Sequence, residues 1–120
     1  MTSRCDVAVR RLEGAAVIEL AGDLDGTAAD TLGAAYEEAV AQGEPSTVVL
    51  DFSAVGYINS TGIALIVGVL ARARAQHRKV VASGLSEHYR EIFDVTRLSD
   101  FIELFSDLDD AMSRMGQPSG

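Results

Sequence analysis

At 120 residues and 12.7 kDa the chain has room for one hydrophobic core and not for two. An apolar fraction of 48% beside a charged fraction of 23% excludes an intrinsically disordered chain. A net charge of −8 excludes a nucleic-acid binder built on phosphate neutralisation, and the single cysteine, Cys5, excludes an internal disulfide and any CxxC or zinc pattern.

In chain order, residues 6–12 alternate briefly between apolar and polar, which predicts a strand. Residues 15–21 alternate again, with Val17 and Glu19 on one face and Ile18 and Leu20 flanking them. Arg11-Leu12-Glu13-Gly14 joins the two as a hairpin turn. Leu32, Ala35, Tyr36, Ala39 and Val40 recur at spacings of three and four, so residues 27–40 read as a helix, with Thr27 and Asp30 spaced as a capping box. Gly43 and Pro45 stop it. The β-branched run 47–52 predicts a central strand covered on both faces. A loop over 53–59 then leads into a helix over 60–76. That helix is apolar on all sides across 63–71, which predicts burial, and Arg72, Arg74, Arg78 and Lys79 gather at its C-terminal end, where cations complement the helix dipole.

Residues 79–83 predict another strand, closed by Gly84. Residues 86–98 predict a helix with Tyr89, Ile92 and Phe93 on one face, and 101–105 a short strand. The last helix, 106–115, has Ser106 and Asp109 spaced as a capping box and Leu108, Ala111, Met112 and Met115 facing inward. The domain is thus expected to span residues 1–115, followed by a flexible tail over 116–120. The order β-β-α-β-α-β-α-β-α predicts a single α/β domain: a mostly parallel mixed sheet of about five strands that opens with an antiparallel hairpin and is covered by about four helices.

Residues 52–71 are uncharged over a membrane-spanning length, but Asn59, Ser60 and Thr61 interrupt them, and the apolar stretch 63–71 is too short to cross. No membrane insertion is expected. The N-terminus has no apolar signal region, and with the lone cysteine this predicts a cytoplasmic protein. Charge is segregated along the chain. Residues 1–51 carry ten acidic and three basic side chains, residues 52–86 four basic and none acidic, and residues 87–120 eight acidic and three basic. Such a distribution disfavours nucleic acid and anionic membrane surfaces, and suits a basic protein partner.

Enzyme signatures are missing: there is no phosphate-binding GxxxxGK[ST] loop, GxGxxG, HExxH or GxSxG. His77 and His88 read as surface residues. Asp23 and Asp25 supply two carboxylates where a hard cation usually needs three or more oxygen ligands, so the pair reads as a solvated turn. No catalytic residue, metal or cofactor is expected. What stands out is Asp51-Phe-Ser-Ala-Val-Gly-Tyr-Ile-Asn-Ser-Thr-Gly-Ile: a buried strand, a loop, and two hydroxyls at the start of an apolar helix. Ser60 or Thr61 could simply cap that helix. The position also lies at the carboxyl end of a strand, where open α/β sheets place their sites, and a hydroxyl presented there is open to modification by a partner enzyme.

This stretch resembles the signature of STAS-domain anti-sigma factor antagonists, with supporting matches in Gly22-Asp23-Leu24-Asp25 and Glu91-Ile92-Phe93-Asp94. The resemblance covers about residues 7–115. It implies a partner-switching cycle. The unphosphorylated domain binds an anti-sigma factor and frees a sigma factor; the anti-sigma factor is also an ATP-dependent Ser kinase that phosphorylates the domain; and a Ser/Thr phosphatase reverses the step. By motif position the phosphorylated residue corresponds to Ser60, with Thr61 as the alternative, and Asp23, Asn59, Ser60, Thr61 and Gly62 correspond to the partner surface. The family usually has Asp where this chain has Asn59, which bears on kinase recognition. The competing implication is a STAS subunit of a transport or lipid-trafficking ATPase complex, with Ser60 unphosphorylated.

Overall fold

The computed structural model describes residues 5–12, 14–41 and 43–115. Its sheet runs β1 (Cys5–Leu12), β2 (Ala15–Leu24), β3 (Thr47–Ile58), β4 (Lys79–Ser83) and β5 (Glu103–Phe105), and the spatial order equals the sequence order. β1 and β2 pair antiparallel and the other three pairings are parallel. The helices are α1 (Ala29–Ala41), α2 (Ser60–Ala75), α3 (Glu87–Val95) and α4 (Leu108–Met115), with 3-10 turns at Gly26–Ala28 and Leu98–Asp100. This is the predicted element order. Residues 116–120, including the expected tail, lie outside the described residues, as does Glu13 of the predicted hairpin turn.

Three crossovers, β2-α1-β3, β3-α2-β4 and β4-α3-β5, step in one direction across the sheet. Crossovers of one hand that step one way put their helices on one face. Accordingly Tyr36 of α1, Ile66 of α2 and Phe93 of α3 share a core with Ile18, Leu50, Phe52 and Ala82 of the strands. The Phe52 and Phe93 rings meet edge to face at 6.3 Å, which fastens α3 onto β3. The alternate residues, Val17, Val49 and Val81, turn to the other face and meet Ala111 of α4. β3 is the middle strand, and Val48, Val49 and Leu50 have no exposed surface, as a strand covered on both faces requires.

Five local expectations are corrected. The segment 53–59 is not a loop: β3 continues to Ile58, held by β2 through Ala54, Val55, Tyr57 and Ile58, while β4 stops alongside Asp51. The cue was hidden because Ser53, Ala54, Gly56 and Tyr57 are exposed and lack the apolar pattern of residues 47–52. Secondly, α2 is not buried all round. Gly62, Ile66, Val69 and Ala73 face the core, whereas Ala64, Val67, Gly68 and Ala71 are exposed. Thirdly, Asp25 rather than a Thr27–Asp30 box opens the first helical segment, accepting the Thr27 N–H at 2.9 Å. Finally, α4 starts with Asp107 accepting the Asp110 N–H at 2.7 Å, and Ser106 bonds Asp110 instead of Asp109. The third helix is also shorter than expected: it ends at Val95, and Arg97, at φ 68°, turns the chain into the 3-10 segment before a three-residue β5.

Candidate functional site

Three strand-to-helix junctions lie at the carboxyl edge of the parallel strands, each opened by a short polar cap: Asp25, Asn59 and Ser86. The caps satisfy N–H groups that the first helical turn leaves free. Two of these junctions interlock. The Asn59 N–H donates to the Leu24 carbonyl at 3.2 Å, tying the end of β3 to the end of β2. Gly62, in the first turn of α2, sits so close to that carbonyl that a Cβ there would lie 2.1 Å from its oxygen. A Cβ on Gly26 would in turn touch the Thr61 hydroxyl at 3.4 Å. The Gly-Asp-Leu-Asp segment, where β2 ends, and the Asn-Ser-Thr-Gly segment, where α2 begins, are therefore neighbours, and Asp23, Asn59, Ser60, Thr61 and Gly62 lie on this edge of the sheet.

The division of labour among the hydroxyls differs from the sequence reading. Neither Ser60 nor Thr61 caps α2. Asn59 does, its Oδ1 accepting the Gly62 N–H at 2.9 Å. The same oxygen accepts the Thr61 hydroxyl at 2.8 Å, so Thr61 is held against the cap. Ser60, the first helical residue, is exposed, and its hydroxyl bonds to no described residue. Asn ranks with Ser and Asp as a cap, so the pattern Asn-Ser-Thr-Gly carried this signal.

Residues outside the predicted set hold the site in place. The Ile58 N–H donates to the Tyr89 hydroxyl at 2.8 Å, so α3 pins the last residue of β3 just before Ser60. Asp51, at the end of the β3–β4 pairing, accepts from the Ser53 N–H at 3.1 Å and the Ser53 hydroxyl at 2.7 Å. Gly84, at φ +76°, passes so near that a Cβ would lie 2.8 Å from Ser53. The Tyr89 and Gly84 contacts join residues about thirty positions apart, whereas the Asp51–Ser53 bonds are local.

The site is acidic and polar. The Thr27 hydroxyl, and then its N–H, hold the Asp25 carboxyl below its ordinary value. Cys5 pairs with Gly22 across the hairpin, beside the Asp23–Asp25 turn. Burial, aided by the negative charges of Asp6, Asp25 and Asp23, pushes its thiol up; a backbone bond from Ala21 opposes this. A thiol held protonated is a poor nucleophile. Among the described residues no three His, Cys, Asp or Glu side chains gather to hold a metal, and no helix is long and apolar enough to cross a membrane.

The STAS domain family profile matches residues 6–111. The chain belongs to the STAS-domain family of anti-sigma factor antagonists. It is 34% identical over 88 residues to the anti-sigma-B factor antagonist of Listeria monocytogenes, covering 72% of this chain and 75% of that one. Among solved structures, an anti-sigma factor antagonist from Mycobacterium paratuberculosis superposes with TM-score 0.76 at 26% identity, covering 95% of this chain and 96% of that chain. The Bacillus cell fate determinant SpoIIAA in its phosphorylated form shares the fold, with TM-score 0.70 at 22% identity over 92% of this chain and 99% of that chain.

Proposed function

We propose that this STAS domain is a phosphorylation-controlled docking module: unmodified, it binds an anti-sigma factor and releases a sigma factor, and phosphorylation of Ser60 ends the binding. The observation that carries the assignment is the contrast between neighbouring hydroxyls. Ser60 is exposed and unbonded, whereas Thr61 is engaged by Asn59. That contrast favours Ser60 over Thr61 as the acceptor. The names of the relatives support the anti-sigma partner.

In the step itself, the Ser60 Oγ forms a bond to the γ-phosphorus of ATP held by the anti-sigma kinase. The bond from that phosphorus to the β-phosphate bridging oxygen breaks, ADP leaves, and the hydroxyl proton passes to solvent or a kinase base. A Ser/Thr phosphatase hydrolyses the ester and restores the hydroxyl. The product carries about −1.5 to −2 charges. At the first position of α2 the dianion meets free N–H groups and the positive end of the helix dipole, a gain of roughly 0.3–1 kcal/mol, so the fold tolerates it. Under a docked partner the same charge is desolvated without a counter-ion, at a cost of about 3–5 kcal/mol. The interface cost exceeds the local gain, so binding switches while the domain stays folded. Asn59 in place of Asp spares the phosphate a like charge next to it, and keeps the cap.

The test is a pull-down with the Ser60→Ala protein as bait, identification of what it retains, and incubation of the captured kinase with wild-type protein and ATP. A mass gain of about 80 Da, absent in Ser60→Ala and present in Thr61→Ala, is expected. A gain that persists in Ser60→Ala contradicts the assignment. No gain with any captured partner favours the transport-complex reading.

A further inference from the structure

The far end of α2 carries a feature that docking at Ser60 does not use. Between the C-terminal half of α2, the start of β4 and the 3-10 turn after α3 lies an open groove of about 810 Å³. Its apolar lining includes Leu70, Val80, Leu98 and Phe101. Phe101 is 61% exposed and Val67, at the groove's edge on α2, 45% exposed, so apolar surface is open to a ligand there.

The polar lining is almost wholly cationic: Arg74, Arg78, Lys79 and Arg97, with His77 beside them and no carboxylate. This is the reverse of a molecule whose net charge is −8. Some of these cations have work already. Arg78 donates to the Pro45 carbonyl and the Gln76 side chain, Lys79 pairs with Glu103 at 2.9 Å, and Arg97 with Asp100 at 3.6 Å. Arg74 is different. Among the described residues it meets no carboxylate, and its guanidinium stands 6.0 Å from the centre of the Phe101 ring. An unpaired guanidinium beside an exposed aromatic, over an apolar floor, is a built-in match for a ligand with an anionic head and an apolar body. The volume falls in the range that holds one small molecule, about 300–1,000 Å³.

We propose that this groove binds a small anionic amphiphile, a carboxylate or phosphate head on an aliphatic or aromatic body, with Arg74 on the head and Phe101, Leu70 and Leu98 on the body. Arg74 lies about 21 Å along α2 from Ser60, fourteen residues at 1.5 Å each, and Val67 at the groove's near edge about 10 Å.

The probe is 8-anilino-1-naphthalenesulfonate, an aromatic anion, titrated by fluorescence against the full chain, with the uncharged N-phenyl-1-naphthylamine as the comparison. One anion is expected to bind per chain, at least tenfold more tightly than the neutral dye. Arg74→Glu and Phe101→Ala should each weaken it by tenfold or more with unchanged Tm and near-UV circular dichroism, and Ser60→Asp should leave it unaltered. Dodecanoate and phenyl phosphate then compete for the site: displacement by the first assigns an aliphatic ligand, by the second an aromatic one. Equal binding of the two dyes, or full binding by Arg74→Glu, overturns the proposal. So does displacement by an acidic amphipathic peptide alone, which would make the groove a protein-docking surface.

Discussion

The two ends of α2 are built on opposite plans. At the N-terminal end the polar groups are short: Asn59 caps, Gly62 presses on the Leu24 carbonyl, and the charges in the adjoining Gly-Asp-Leu-Asp segment are the carboxylates of Asp23 and Asp25. At the C-terminal end the side chains are long, cationic and laid over apolar surface. Arg72 stacks 4.8 Å over the Tyr36 ring, and Arg74 stands by Phe101. The helix dipole favours negative charge at the first end and positive charge at the second. The dipole thus supports the proposed phosphate at the start of α2, and near its end it supports the arginines, whose charge would hold the proposed anionic ligand. The lesson is that close packing lies beneath Ser60, while the hydroxyl itself is left free.

Substitutions at the two ends break or sharpen this contrast. The largest effect is expected for Ser60→Asp, which places a charge on the proposed docking surface: affinity for the anti-sigma partner should fall by roughly 10² to several times 10³, following about 3–5 kcal/mol at 1.4 kcal/mol per tenfold. Next is Gly62→Ala, whose Cβ would have to displace the Leu24 carbonyl. Denaturant unfolding should show a loss of about 1–3 kcal/mol or more, together with weakened docking. Asn59→Ala removes the bond to the Gly62 N–H and should cost about 1 kcal/mol, whereas Asn59→Asp keeps the cap and should cost nothing. At the other end, Tyr36→Phe loses the 2.8 Å bond to Gln76 and the hydroxyl's contact with Arg78, at a cost of about 0.5–1.5 kcal/mol per bond, and should leave docking intact.

The smallest effect is a titration. The Thr27 hydroxyl and N–H favour the charged Asp25 carboxylate, so its folded pKa lies below the unfolded value. The cap's contribution is then complete above the ordinary aspartate value near 3.8 and is lost as pH falls through the lower, folded value. The Thr27 amide resonance should therefore shift at a lower pH than those of residues beside unbonded aspartates. A midpoint at or above 3.8 would contradict the bond.

Much of this was legible in the sequence because each element carries its own period. Val48, Val49 and Leu50 announced a central strand, and the spacing of Leu32, Ala35, Tyr36 and Ala39 announced α1. The motif around Ser60 brought the family into view. What stayed hidden depended on partners distant in the chain. β3 runs to Ile58 because β2 and Tyr89 hold it there, and nothing within residues 53–57 signals that support. The exposed face of α2 was missed for a related reason: Ala64, Val67, Gly68 and Ala71 are as apolar as the buried face, so composition could not tell which side meets the sheet. Caps were misassigned where several candidates stood side by side. Asp25 precedes Thr27, and Asn59 precedes Ser60, and only backbone geometry chooses between them.

The most direct measurement is the dissociation constant of the captured anti-sigma partner for wild-type protein before and after stoichiometric phosphorylation at Ser60, with Ser60→Ala treated identically. Weakening by at least a hundredfold on phosphorylation, with unchanged circular dichroism and with Ser60→Ala binding tightly throughout, is the predicted result. Equal affinity of the phosphorylated and unphosphorylated protein would contradict the account.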